Sequence, residues 1–220
     1  MYVGVKVEVW SDVVCPWCYI GKRRLEGALA RFEHAGDVEV EYRSFELNPA
    51  ASSTESGPLD QRLADKYGVG LDQARAMNSR VTDTAAAEGL HYRLDIAQPS
   101  NTFDAHRLIH LAGAFGLKAA MKERLMAAYF SEGRRIGDPG TLVELAVEVG
   151  IDPRRARAAM ASDEFAADVR TEEREAAELG ISGVPFFVLD RRYGVSGAQP
   201  SELLLEALQK AWSEGANSTR

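Results

Sequence analysis

Hydrophobic and polar positions alternate from the start of the chain. Val3, Val5, Val7 and Val9 are separated by Gly4, Lys6 and Glu8. A period of two turns one side of a strand to a core and the other to water, so residues 3–9 read as a half-buried strand. The period then changes. Leu25, Ala28, Leu29 and Phe32 keep the i, i+3, i+4, i+7 spacing of one helical stripe that starts after Cys15, and Gly36 offers a left-handed stop. Val38, Val40 and Tyr42 alternate again with Glu39, Glu41 and Arg43, which predicts a second strand.

A polar, breaker-rich link follows at 49–60. From about 59 to 179 the pattern is helical throughout. Ala105, Leu108, Ile109, Ala112 and Phe115 form one stripe after a cap at Asn101 or Thr102. Asp138-Pro139 and Asp152-Pro153 each join a capping carboxylate to the proline favoured in a first turn, and Gly150 stops the helix between them. Strand character returns at Phe186–Leu189 and Tyr193–Ser196, with Arg191 and Arg192 in the turn. Pro200 opens a last helix with Leu204, Leu208 and Ala211 inward. The order is βαβ, a helical block, then ββα. It predicts an α/β sheet domain, 1–48 plus 180–215, interrupted by an all-helical domain, 58–175, and a frayed tail at 216–220.

Composition narrows the class. The chain has 220 residues, 45% hydrophobic and 27% charged, enough for one large core without metal or disulfide staples. A net charge of −7 makes it a poor binder of nucleic acid or anionic membranes, both of which select clustered Lys and Arg. No apolar run reaches the roughly 18 residues of a membrane span. Strand periodicity occupies the positions where a secretory leader would place an apolar stretch, so the expected compartment is the cytoplasm.

The two cysteines, Cys15 and Cys18, flank Pro16-Trp17 at the turn from first strand to first helix. A CxxC placed in a βαβ unit reads as a redox motif. Positions i and i+3 in a first helical turn share a face and can close a disulfide. Free amides and the helix dipole favour an anion on the first sulfur, so Cys15 is expected to be exposed and to attack a substrate disulfide. Cys18, one turn inside, is expected to be shielded and to resolve the mixed disulfide. Pro16 gives up an amide that a first turn leaves unpaired. The proton acceptor for Cys18 is open, with Asp12 and Glu46 as candidates by position. Pro16-Trp17 carries no formal charge, so stabilisation of the thiolate should be moderate. That places the potential between those of thioredoxin and protein disulfide isomerase, about −270 and −180 mV.

Other readings of the cysteines are half a zinc site or two inert core thiols. Zinc would need partners among His34, His91, His106 and His110. His106 and His110 are four apart, but Arg107 stands where a zincin has glutamate. This pair fits a helix surface or packed imidazoles better than a catalytic base. Val184-Pro185, opening the Phe186 strand, is an edge proline or, beside a CxxC, a cis proline whose preceding residue offers backbone hydrogen bonds to an extended peptide.

Taken together, Trp10-Ser11-Asp12, Cys15-Pro16-Trp17-Cys18, Phe45-Glu46-Leu47-Asn48-Pro49, Asn101-Thr102-Phe103-Asp104-Ala105-His106-Arg107, Gly180 to Phe187 and Ser196 to Pro200 resemble the DsbA-like thioredoxin-fold family, FrnE type, over about residues 5–212. The resemblance implies a thioredoxin fold (βαβ…ββα) with a large inserted helical domain. It implies a thiol–disulfide oxidoreductase, with Cys15 as nucleophile, Cys18 as resolving thiol and Pro185 as the cis proline. Related kappa-class glutathione transferases and hydroxychromene-carboxylate isomerases have serine at position 15 and lack the second thiol. In them the positions of Asn48 and Val184 hold glutathione. The chain has no further cysteine pair such as some FrnE proteins carry, and no leader like that of secreted DsbA proteins is expected.

The leading expectation is therefore a cytoplasmic dithiol–disulfide oxidoreductase acting on protein or small disulfide and thiol substrates. Pro16, Trp17, Val184, Pro185 and Asn48 line its substrate site. No metal is expected and no cofactor beyond the redox-active disulfide, with glutathione as a possible participant and a homodimer left open. The alternatives are a glutathione-dependent transferase or isomerase and a non-catalytic binding or holdase module.

Overall fold

The computed structural model describes residues 4–52 and 57–217. Position 3 of the expected first strand, part of the 49–60 link and residues 218–220 lie outside them. Four strands form one mixed sheet in the order β2-β1-β3-β4. β1 (Val5–Ser11) pairs parallel with β2 (Val38–Ser44) and antiparallel with β3 (Phe186–Leu189), which pairs antiparallel with β4 (Tyr193–Ser196). The right half of the sheet thus comes from residues some 150 positions beyond the left half.

β1 is central and almost wholly buried, which corrects the half-buried expectation. Valines 5, 7 and 9 face a core shared with Leu25, Phe187, Leu204 and Leu208. On the other face Trp10 packs with Val188, Ile181 and Ala176. The polar position Glu8 is buried as well. It is tolerated there because Arg43 Nη2 donates to its carboxylate at 2.7 Å and Arg191 donates from the β3–β4 turn, so the charge is paired.

Helix α1 (Pro16–Leu29) connects β1 to β2. It ends at Leu29, not at Gly36, which lies in a single 3-10 turn, Ala35–Asp37. Phe32 still reaches the core from the chain beyond the helix, which is why its stripe runs past the true end. The central block contains α2 (Leu59–Tyr67), α3 (Leu71–Ala87), α4 (Phe103–Gly113), α5 (Lys118–Phe130), α6 (Pro139–Glu148), α7 (Pro153–Met160) and α8 (Ala166–Glu178). Both Asp-Pro starts are found, with Asp138 accepting from the Thr141 amide and Asp152 from the Arg154 and Arg155 amides. The stretch 88–102, expected as helix, contains none. Gly89 turns left-handed, and Leu90, Tyr92 and Leu94 are then buried at every second position, a period that suits extended backbone. α4 stops at Gly113, so Phe115 falls outside the stripe and is exposed. α9 (Ser201–Asn217) closes on α1 and the sheet.

The helices pack around a single large core that includes Cys15, Cys18, Tyr19 and Ile20 of the α1 start. Two seams tie this block to the sheet. At one, Glu123 of α5 receives Lys22 at 2.5 Å, Tyr19 at 2.5 Å and Arg23. At the other, Glu172 of α8 accepts from the Ser44 amide at 2.6 Å, contacts His110 at 3.0 Å and takes the Trp10 indole on its backbone carbonyl. Among the described residues no helix is long and apolar enough to cross a membrane.

Candidate active site

Asp12 to Val14 turn the chain from β1 into α1, with the Cys15 amide on the Asp12 carbonyl at 3.2 Å. Cys15 has extended backbone and is the N-cap, Pro16 is the first helical residue, and the Cys18 amide bonds the Cys15 carbonyl at 3.0 Å. The Cys15 side chain caps none of the helix amides, so its sulfur is left at the free amide end of α1. Both cysteines are free thiols. Cys15 is only 4% exposed, against the expectation of an exposed sulfur, and Cys18 2%. The difference between them is position, because Cys15 lines a groove and Cys18 lies beneath it.

That groove, about 1250 Å³, runs between the CxxC turn and the helical block. Pro16, Trp17, Asn48 and Val184 line it, so these predicted site residues come together with Cys15. Its far wall includes Leu63, Met77 and Tyr129. Trp17 and Tyr67 are exposed aromatics along it. Pro185 stands behind. The Val184–Pro185 bond is cis, and Cys15 Sγ donates to the Val184 carbonyl at 3.6 Å. Gly21 permits this approach, since a Cβ there would lie 3.0 Å from Pro185 Cγ. Tyr92 OH donates to the Pro16 carbonyl at 2.7 Å, holding the turn from the helical side.

Burial, reinforced by the adjacent Cys15 sulfur, pushes the Cys18 thiol well above its ordinary range. It therefore needs help to ionise. The two carboxylates expected nearby are engaged. Asp12 accepts from the Leu47 amide at 2.8 Å and faces His106 at 3.4 Å. Glu46 is paired with Arg170 at 2.5 Å and bonded to Asn101. A buried cation that the sequence reading did not single out is Lys122 of α5, 1% exposed, with Nζ donating to the Ser11 carbonyl at 3.3 Å. Its signal was available: Lys122, Leu125 and Tyr129 share one face of α5, a lysine within an apolar stripe. His106 and His110, on one helix, serve different partners, the first at Asp12 and the second bridging Ser44 and Glu172.

Comparisons with known proteins agree with the fold. The chain is 48% identical to a probable DsbA oxidoreductase from Streptomyces coelicolor, whose crystal structure superposes with a TM-score of 0.92 over 96% of this chain and 91% of that one. The uncharacterised protein YwbO of Bacillus subtilis is 29% identical over 198 residues, 84% of this chain and 86% of its own. The cytosolic disulfide reductase DsbM of Pseudomonas aeruginosa, solved with glutathione, shares the fold at a TM-score of 0.62 and 20% identity, covering 98% of this chain and 99% of that one. The DSBA-like thioredoxin domain matches residues 6–209, and the chain belongs to that family of oxidoreductases.

Proposed function

We propose that the protein is a thiol–disulfide oxidoreductase in which Cys15 attacks and Cys18 resolves. The observation that carries this reading is the placement of the sulfurs. Cys15 sits at the amide end of α1 where a groove opens, and Cys18 lies one turn deeper, closed to the groove. A substrate sulfur entering the groove meets Cys15 first. Attack by the Cys15 thiolate forms a mixed disulfide and releases one substrate thiol. Cys18 then attacks the Cys15 sulfur, closes the Cys15–Cys18 disulfide and releases the second. Run backwards, the same steps oxidise a dithiol.

Val184 borders the reacting sulfur, with Pro185 next to it in the chain, and Trp17 and Asn48 border the entering chain. A groove of this size takes an extended segment of protein as well as a small disulfide such as glutathione disulfide. Retention of both thiols favours dithiol chemistry over a glutathione-dependent transferase. The working compartment in this reading is the cytoplasm, where the glutathione pool sets the redox partner. The test uses a disulfide-bonded peptide. Cys15→Ser should abolish exchange, whereas Cys18→Ser should accumulate a mixed disulfide visible by mass. Exchange that survives Cys15→Ser would overturn the reading.

A further inference from the structure

Helices α2 and α3 wall the groove beside Cys15, and each turns a single face to it. Leu59, Leu63 and Tyr67 line it from α2, and Met77, Val81 and Thr84 from α3, at the three-to-four spacing of one helix side. Charge is sorted between the faces. From Leu59 to Ala87 the sequence carries four bases (Arg62, Lys66, Arg75, Arg80) and four acids (Asp60, Asp65, Asp72, Asp83). Three of the bases line the groove, and of the acids only Asp65 does. The wall is therefore positive in a chain of net charge −7.

The carboxylates nearby do not neutralise it. Asp60 accepts from Asn78 at 2.5 Å and faces Arg75, which also meets Asp72. Asp65 accepts from Gln61 at 2.9 Å, and the buried Asp12 is held by the Leu47 amide and His106. Lys66 and Arg80 make no ion pair among the described residues, and the Lys66 ammonium stands over the Tyr67 ring at 5.8 Å.

We propose that the groove selects an extended, acidic segment of a partner protein, with Asp or Glu and apolar side chains close to its redox-active cysteine. This rests on the dithiol reading above and names its substrate class. The nine residues of α2 rise about 12 Å, the length of about four residues of extended chain. Along that length apolar side chains cover Leu63, Met77 and Val81, while carboxylates face Lys66 and Arg80. An acidic protein repels acidic partners in general, so a basic wall at the reacting sulfur marks the one face that draws them in. Glutathione disulfide would meet the cations but leave the apolar wall uncovered. The groove, about 1250 Å³, also exceeds the roughly 300–1,000 Å³ of small-molecule sites.

The test uses two peptides of one sequence, with apolar residues beside a single cysteine and either Glu or Lys at the flanking positions. Each cysteine is capped by 2-thiopyridine, an uncharged leaving group whose release is followed by absorbance on mixing with reduced protein. The readout is the ratio of the Glu-peptide rate to the Lys-peptide rate, which cancels any general loss of activity in a variant. In wild-type protein at about 20 mM salt the ratio should be about three to ten, and it should shrink towards one at about 0.5 M salt. Lys66→Gln with Arg80→Gln should bring it close to one, and Lys66→Glu with Arg80→Glu should invert it. A wild-type ratio of one, or a ratio that these variants leave unchanged, would overturn the proposal. Glutathione capped in the same way should react more slowly than the Glu peptide, and the reverse order would overturn the choice of a protein segment. Release that survives Cys15→Ser would overturn the dithiol reading itself, whereas equal rates that both require Cys15 would leave that reading standing and sink this one.

Discussion

Glu123 offers a direct measure of how firmly the helical block holds the helix that carries the cysteines. Burial opposes its negative charge, but hydrogen bonds from Arg23, Lys22 and Tyr19 outweigh that and hold the carboxyl at about 2, against an ordinary 4.5. At 1.36 kcal/mol per unit, that gap sets a ceiling of about 3 kcal/mol. The side chain is 31% exposed and Glu26 remains beside Lys22 and Arg23, so solvent and the second acceptor reduce the effect to about 1–2 kcal/mol. Folding lowers this carboxyl, so its contribution is complete above about pH 5 and disappears as pH falls toward 2. Glu123→Gln lacks it at every pH. Urea unfolding of the two proteins should therefore differ by about 1–2 kcal/mol at pH 7 and by less than half of that at pH 3. A gap that is equal at both pH values would refute the electrostatic account, and no gap at pH 7 would refute the seam.

Three further outcomes are expected. Cys15 should alkylate much faster than Cys18 at pH 7, by mass spectrometry after a short iodoacetamide pulse, because the groove reaches only the first sulfur and burial keeps the second protonated; equal rates would contradict it. Titration of the pair against glutathione should give a potential between about −270 and −180 mV, since Pro16-Trp17 adds no charge at the helix end, and a value near −120 mV would mean that another group stabilises the thiolate strongly. Gly133→Ala should lower stability by at least about 1 kcal/mol in thermal melts, because φ is +64° and a Cβ would lie 2.6 Å from the Ile96 carbonyl oxygen; an unchanged midpoint would show that this turn relaxes freely.

Much of the fold was legible because short-range chemistry dictated it. Phe186–Leu189 and Tyr193–Ser196 appear as strands where alternation and a turn were read, and the two Asp-Pro starts cap helices as their side chains require. The misses have one cause, which is that periodicity reports burial and not backbone. Phe32 is buried beyond the end of α1, and Leu90, Tyr92 and Leu94 are buried without a helix. At the site, spacing brought Cys15, Pro16 and Trp17 together, the Val-Pro motif before β3 pointed to Val184, and resemblance added Asn48, all of which border the groove. Lys122 was not found because a charged residue in a helix is ordinarily read as solvated. Only tertiary packing buries its amine against the Ser11 carbonyl and leaves Asp12 and Glu46 committed elsewhere.

The separation between Cys15 and Val184 has a consequence for the newly made chain. The carbonyl that meets the Cys15 sulfur lies 169 residues downstream. At a synthesis rate of about 5–20 residues per second, roughly 8–34 s elapse between the appearance of the thiol and of its neighbour. β1, α1 and β2 are complete early in that interval, but β3 and the helical core that cover the cysteines are not. The nascent protein therefore passes through a period in which both sulfurs are open and burial does not yet separate them. In the proposed reading, the full distinction between attacking and resolving thiol is acquired only when the last third of the chain has arrived.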